Sequence, residues 1–194
     1  MTTKEHWNAI FEKGQTLTSF SDKDLDLVLE RCGRPKTALD IACGTGDLVV
    51  QLARRGITAT GADISTVALN KAQEKLQSEN LEADLVELDF NFPNFGEGLT
   101  GSYDIVFIRL AFAFVREKDL FLEEIKKLMA PGGTFVCTLP GLLPNVAYDT
   151  RQNNISLPKS DLERILGNHF SSVELVLEDL TLMRDWPLLT YLCR

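Results

Sequence analysis

No stretch of this sequence approaches 18 consecutive apolar residues, which excludes a membrane-spanning helix. Its four cysteines (Cys32, Cys43, Cys137 and Cys193) stand far apart, with neither the density of a disulfide framework nor a C-x-x-C metal spacing. Positive charge is short as well. Lys and Arg number 20 against 28 Asp and Glu, a formal net charge of −8. Such a surface repels phosphate backbones and anionic lipid, so neither nucleic acid nor membrane is an expected partner. The opening Met1-Thr-Thr-Lys-Glu5 has no apolar signal core. A reducing, cytoplasmic setting follows as the expectation. There is no internal repeat, low-complexity tract or dividing linker, and 194 residues suit one domain able to bury a core without disulfides or metals.

What is present is an alternation of short apolar runs and amphipathic helical stretches, the pattern of a sheet covered on both faces. Strands are predicted at 37–42, 57–62, 85–88, 103–108 and 134–139, with two late ones at 172–177 and 188–193. Helices are predicted at 47–54, 65–77, 119–129 and 160–166, the second capped by Ser65 or Thr66 and the third stopped by Pro131-Gly132-Gly133. The fold expected is α/β: a doubly wound, mostly parallel, seven-stranded sheet with helices on both faces. Two segments break the alternation. Residues 1–33 read as two helices ahead of the first strand, and residues 140–158 as a polar, proline-containing insertion. Long segments at strand ends are where ligands bind, so both are candidates for covering a site.

The chemistry concentrates in Leu39-Asp40-Ile41-Ala42-Cys43-Gly44-Thr45-Gly46. A strand ends in a carboxylate, and a glycine-rich turn then opens a helix. Glycine permits the tight turn and lets a ligand approach the backbone; a side chain at Gly46 is expected to crowd that approach. A dinucleotide site needs a third glycine where Val49 stands. Asp40 lies under the turn, where it would repel a pyrophosphate. A ligand carrying a cationic amino group suits it better.

This motif resembles that of the class I S-adenosylmethionine-dependent methyltransferases, with Ala42 in place of the first glycine. The resemblance continues along about four-fifths of the chain, through Gly61-Ala-Asp63-Ile64-Ser65, Leu88-Asp89-Phe90, Tyr103-Asp-Ile-Val-Phe-Ile-Arg109-Leu110 and Leu128-Met-Ala-Pro-Gly132-Gly133. It implies a Rossmann-like methyltransferase fold over 1–194, with 1–33 as an N-terminal helical lid and 140–158 as a substrate-side insertion. It also implies S-adenosylmethionine as cofactor, held by Asp40, Ala42, Gly44 and Gly46. Asp63 and Ile64 would take the ribose, Asp89 and Phe90 the adenine, Arg109 and Leu110 the methionine half. Trp7 would lie over the site.

Two departures from the family pattern narrow the chemistry. After the fourth strand, where histidine is frequent in the family, stands Ala111-Phe112-Ala113-Phe114; the Asn/Asp-Pro-Pro-aromatic motif of amino-methylating enzymes is missing. The small acceptor implied is therefore one that attacks without a dedicated base, His6 being the candidate assistant. His6 to Gly14 is similar to small members of the family that modify thiol, selenium, tellurium or drug-like acceptors. Arg109 is open between anchoring a carboxylate and exposing its charge. Two other readings remain at this level: a protein that binds the cofactor without catalysis, and a nicotinamide-dependent oxidoreductase. Oligomeric state has no sequence signal.

Overall fold

The computed structural model describes residues 3–14, 20–99, 101–142, 147–179 and 186–194. Two helices precede the sheet: α1 (Lys4–Glu12), capped by Thr3, and α2 (Asp22–Arg31), capped by Ser21. The chain then alternates through β1 (Thr37–Ile41), α3 (Asp47–Arg54), β2 (Thr58–Asp63), α4 (Thr66–Ser78), β3 (Asp84–Glu87), β4 (Tyr103–Arg109), α5 (Lys118–Leu128) and β5 (Met129–Leu142). It ends with α6 (Thr150–Ile155), β6 (Leu157–Pro158), α7 (Lys159–His169), β7 (Val173–Asp179) and β8 (Leu188–Cys193). The main path of the sheet runs β3-β2-β1-β4-β5-β8-β7. Strands β1 to β5 are parallel, while β8 enters antiparallel between β5 and β7.

That path is the seven-stranded, doubly wound sheet expected from the apolar pattern. The eighth strand is a two-residue addition, Leu157–Pro158 pairing with Gly141 and Leu142. The 140–158 segment is more regular than its composition indicated. Asp149 and Gln152 form a reciprocal capping box that starts α6, a local hydrogen-bond pattern invisible to hydrophobic periodicity. Residues 143–146 of that insertion lie outside the described residues.

Each face of the sheet carries its own core. Leu39, Ile41, Val106 and Ile108 point to the side covered by α5 and α7, against Phe121, Leu122, Ile125, Leu162 and Leu166. Ala38, Ile105, Phe107 and Val136 point to the side covered by α2, α3 and α4. This alternation along β1 and β4 is the period-2 geometry of strands, and both sets are apolar because both faces are roofed. Leu25 and Val28 of α2 are fully buried there, so α2 is part of the helical layer. In contrast, Phe11 is the buried residue of α1.

Candidate active site

β1 and β4 are neighbours although β2 and β3 lie between them in sequence. The connection through α3 leaves on one face and that through α5 on the other, so a crevice opens beyond the carboxyl ends of β1 and β4. The glycine-rich turn fills its floor. Ala42, Gly44 and Gly46 all take left-handed backbones, with φ of 60°, 54° and 75°. For Ala42 this costs roughly 1–2 kcal/mol, strain of the kind found where a backbone must meet a ligand. Leu110 closes β4 in the same way, at φ 59°, its N–H donating to the Thr138 carbonyl at 2.7 Å.

The turn is fastened from two sides. The Gly44 N–H donates to Asp63 Oδ2 at 2.8 Å, and the Ser65 N–H donates to Asp63 Oδ1 at 2.8 Å. Burial raises the Asp63 carboxyl, while the N–H groups of Ser65, Gly44 and Ile64 pull it back down. Its two oxygens have four lone pairs between them, so capacity remains for a hydroxyl donor. From α4, Lys75 Nζ donates to Thr45 Oγ1 at 2.9 Å and to Asp47 Oδ1 at 2.7 Å. Lys75 had no signal in the sequence: its partners are about thirty positions away, and only the α3–α4 packing joins them.

Asp40, 3% exposed, stands below the turn. Burial pushes its carboxyl up to about 8, against the pull of Arg109 and with the push of Asp63 and Asp47. Arg109 is brought down to about 10 by burial, opposed by Asp40 and Asp179. Its guanidinium carbon lies 4.9 Å from the centre of the Phe20 ring.

α1 forms the roof. Trp7 packs edge-on against Phe114 at 5.5 Å and lies 6.2 Å from Phe11, as rings spaced i and i+4 on one helix can. Phe11 lies directly above the turn, so that a Cβ on Gly44 would touch its ring at 3.5 Å. Polar contacts hold α1 to α4: Ser65 Oγ donates to Asn8 Oδ1 at 2.7 Å, and Lys71 Nζ donates to the Phe11 carbonyl at 2.5 Å. Lys4 pairs with Glu87 at the rim.

Of the residues expected at the site, Trp7, Asp40, Ala42, Gly44, Asp63, Ile64, Phe90, Arg109 and Leu110 line one pocket. Three others do not. Gly46 lies behind the turn, where a Cβ would come 2.6 Å from the Ala72 Cβ, so α3–α4 packing itself requires the glycine. Asp89 accepts from the Asn91 N–H at 2.9 Å and caps its own turn. His6 is exposed, its ring edge-on to Trp7 at 5.6 Å. The pocket wall also takes in Thr45, Asp47, Leu48 and Phe114.

With α1 seated, the pocket encloses about 80 Å³, well below the roughly 300–1,000 Å³ of ordinary ligand sites. The donor set fits an adenosyl amino acid: carboxylates for hydroxyls and ammonium, apolar walls at Ile64, Phe90 and Leu110 for the base and chain. An adenosyl amino acid needs more room than the pocket holds with α1 in this position. Among the described residues there is no cluster of metal ligands and no helix long and apolar enough to cross a membrane.

Residues 38–133, about half of the chain, match the family model described as a methyltransferase domain. The demethylmenaquinone methyltransferase of Thermus thermophilus is 35% identical over 117 residues, covering 58% of this chain and 50% of that protein. A ubiquinone/menaquinone biosynthesis C-methyltransferase of Idiomarina loihiensis is 30% identical over 168 residues, covering 78% of this chain and 62% of its own length. The chain thus spans about half to three-fifths of the length of these two relatives. Among solved structures, a S-adenosylmethionine-dependent methyltransferase from Clostridium acetobutylicum superposes with a TM-score of 0.67 at 17% identity, over 91% of this chain and 92% of that one. The matched domain begins inside β1 and ends inside β5, so it spans the strands that build the pocket floor. The chain belongs to the class I, Rossmann-like family of S-adenosylmethionine-dependent methyltransferases.

Proposed function

We propose that this protein transfers the methyl group of S-adenosylmethionine to a small-molecule acceptor that is already nucleophilic at neutral pH. The observation that carries the proposal is the placement of Asp40 and Asp63 at the ends of adjacent parallel strands, facing one pocket under an aromatic roof. Asp63 would accept from the ribose hydroxyls, Ile64 and Phe90 would flank the adenine, and Asp40 would receive the methionine ammonium. Bound there, the cofactor supplies an activated methyl group on a sulfonium, so the reaction needs little from the protein beyond alignment and dryness.

The chain's own residues serve those two needs. The strained Ala42 and the pinned Gly44 hold the turn in one shape, which fixes the direction from which an acceptor can approach. Trp7, Phe11 and Phe114 offer aromatic walls that exclude water and suit a flat, apolar acceptor. The two relatives are named for quinone biosynthesis, and that is the acceptor class to screen first. The net charge of −8 supports a metabolite over nucleic acid.

We assign the lid role to α1 alone and the acceptor side to the 140–158 segment, within one methyltransferase domain. Entry of the cofactor requires α1 to swing outward, and its return closes the site.

Calorimetric titration with S-adenosylhomocysteine and with NAD tests the cofactor, and a methyl-acceptor screen tests transfer. Micromolar binding of the first with none of the second is the expected result. Binding of NAD alone overturns the reading, and cofactor binding with no acceptor turned over in the screen favours a non-catalytic role.

A further inference from the structure

The proposed reaction leaves Arg109 without a task. Strand register places Asp40 of β1 opposite Phe107 of β4, and Arg109 follows two residues later, so its side chain leaves β4 on the same face. That face continues as a polar row. Thr138 of β5 stands opposite Arg109, and Thr190 of β8 opposite Thr138, their hydroxyls 3.0 Å apart and both 2% exposed. Phe20 covers the near end of the row, packing on Phe107 at 6.3 Å and under the guanidinium.

A carboxylate in such a place does not ionise readily on its own. Three charged groups face Asp40: Asp63 from β2, Asp47 from the first turn of α3 and Arg109 from β4. The two aspartates oppose its ionisation, and Arg109 alone of the three favours it. Arg109 is in turn faced by Asp40 and by Asp179 at the end of β7. With carboxylates on two sides, the guanidinium has little attraction left for an anionic acceptor.

We propose that Arg109 is a positioning residue that favours the ionised form of the Asp40 carboxylate inside the pocket, so that Asp40 can hold the ammonium group of the cofactor. The proposal rests on the cofactor reading above, and its test separates the two. Affinity for S-adenosylhomocysteine is measured by calorimetry from pH 6 to pH 8.5 in the wild type, Arg109→Gln, Arg109→Lys and Asp40→Asn.

In the wild type, affinity rises with pH as Asp40 ionises. Arg109→Gln moves that rise upward by about one pH unit or more, the effect of removing an opposite charge. It therefore binds at least about ten-fold more weakly at pH 7 and recovers toward the alkaline end. Arg109→Lys keeps the wild-type midpoint, and Asp40→Asn binds weakly with no such rise. An unchanged midpoint in Arg109→Gln overturns the proposal. So does an equal loss at every pH, which would mean direct contact with the ligand or a merely structural role. A midpoint displaced in Arg109→Lys overturns it as well, and keeps the test open should the Gln variant not fold. Carboxyl carbon NMR of the unliganded protein follows Asp40 without any cofactor. If no variant binds S-adenosylhomocysteine while Asp40 still titrates higher in Arg109→Gln, the cofactor reading fails and the charge coupling stands.

Discussion

The floor and the roof of the pocket are built by different forces. The floor is made of β1, β2 and β4 ends that continue directly into fully buried core: Leu39, Ile41, Ile108 and Phe107 are at most 1% exposed. Its turn is held by buried backbone-to-carboxylate hydrogen bonds that the fold would lose only by unfolding. The roof, α1, buries Phe11, sets Trp7 against Phe114, and otherwise rests on side-chain hydrogen bonds and an exposed ion pair. Exposed pairs of that kind contribute little, roughly 0–1 kcal/mol each. Segments with little buried apolar area open at low free energy, as a lid must. A methyltransferase needs both properties in one site, a rigid surface for alignment and a cover that moves.

Gly46→Val tests the floor most severely. The added Cβ meets Ala72 at 2.6 Å from its Cβ and 3.2 Å from its Cα, on a backbone with φ of +75°. Neither neighbour is a flexible side-chain tip, so the helices must separate. A loss of about 4 kcal/mol or more is expected, from overpacking combined with left-handed strain, read as the shift of a urea midpoint. Stability near the wild-type value would mean that the α3–α4 contact is loose and the floor is not rigid.

Asp40→Asn should reveal what a buried carboxylate costs. Its carboxyl lies near 8 in the fold against an ordinary value of 3.8. Between about pH 4 and pH 8 the folded chain therefore holds more protons than the unfolded chain, and stability falls as pH rises through that window. The Asn variant lacks this dependence. Measured by denaturant at pH 5 and again at pH 8.5, the stability difference should move in favour of the variant by roughly 2–4 kcal/mol. A constant difference would show that burial does not hold back the ionisation of Asp40, and would remove the need for a favouring charge at Arg109.

Asp63→Ala links floor to ligand. The Gly44 and Ser65 N–H groups lose their acceptor, and the proposed ribose contacts go with them. A weakening of S-adenosylhomocysteine binding by roughly 2–3 kcal/mol, thirty- to a hundred-fold, is expected by calorimetry. Affinity within three-fold of wild type would leave the ribose role without support.

For the roof, deletion of residues 1–14 is expected to cost about ten-fold in cofactor affinity and at most a few degrees in melting temperature. In the intact chain, α1 amides should gain exchange protection when S-adenosylhomocysteine binds. A deletion that lowers stability and leaves affinity alone would make α1 ordinary packing, and the contrast with the floor would collapse.

The same contrast governs what the sequence could reveal. Floor elements were legible because local rules agree there: the α3 range 47–54, the Ser65 cap and the last strand, 188–193, coincide with the structure. Asp40, Gly44 and Asp63 were found because a turn motif compresses its chemistry into a few adjacent positions. Lys75 and the packing role of Gly46 were not legible, since each depends on which helix lies across the way. The left-handed Leu110 had no signal either, because leucine is a residue that avoids such a backbone. Asp89 was assigned from the end of a strand; its Oδ1 accepts from the Asn91 N–H two residues on, a local turn that the strand pattern did not show.

His6 brings the smallest expected effect and the sharpest statement about mechanism. It lies on the roof, exposed, with its ring against the outer edge of Trp7 and not in the pocket wall. A general base must come within hydrogen-bond reach of the proton it removes, directly or through one water. From its place on α1, His6 meets that condition only if closure turns the helix by a large angle about its axis, which would pull Phe11 off the turn. An acceptor that is already anionic or soft needs no such help, because alignment alone can contribute roughly 7–11 kcal/mol. His6→Ala is therefore expected to lower the rate less than about three-fold, with a pH–rate profile parallel to wild type. The measurement is initial rate against pH for both proteins, on an acceptor returned by the screen. A wild-type limb near pH 6.5 that disappears in the variant, together with a hundred-fold loss of rate, would make His6 a base. The roof would then be part of the chemistry, and the division between a rigid floor that aligns and a mobile cover that merely excludes water would have to be given up.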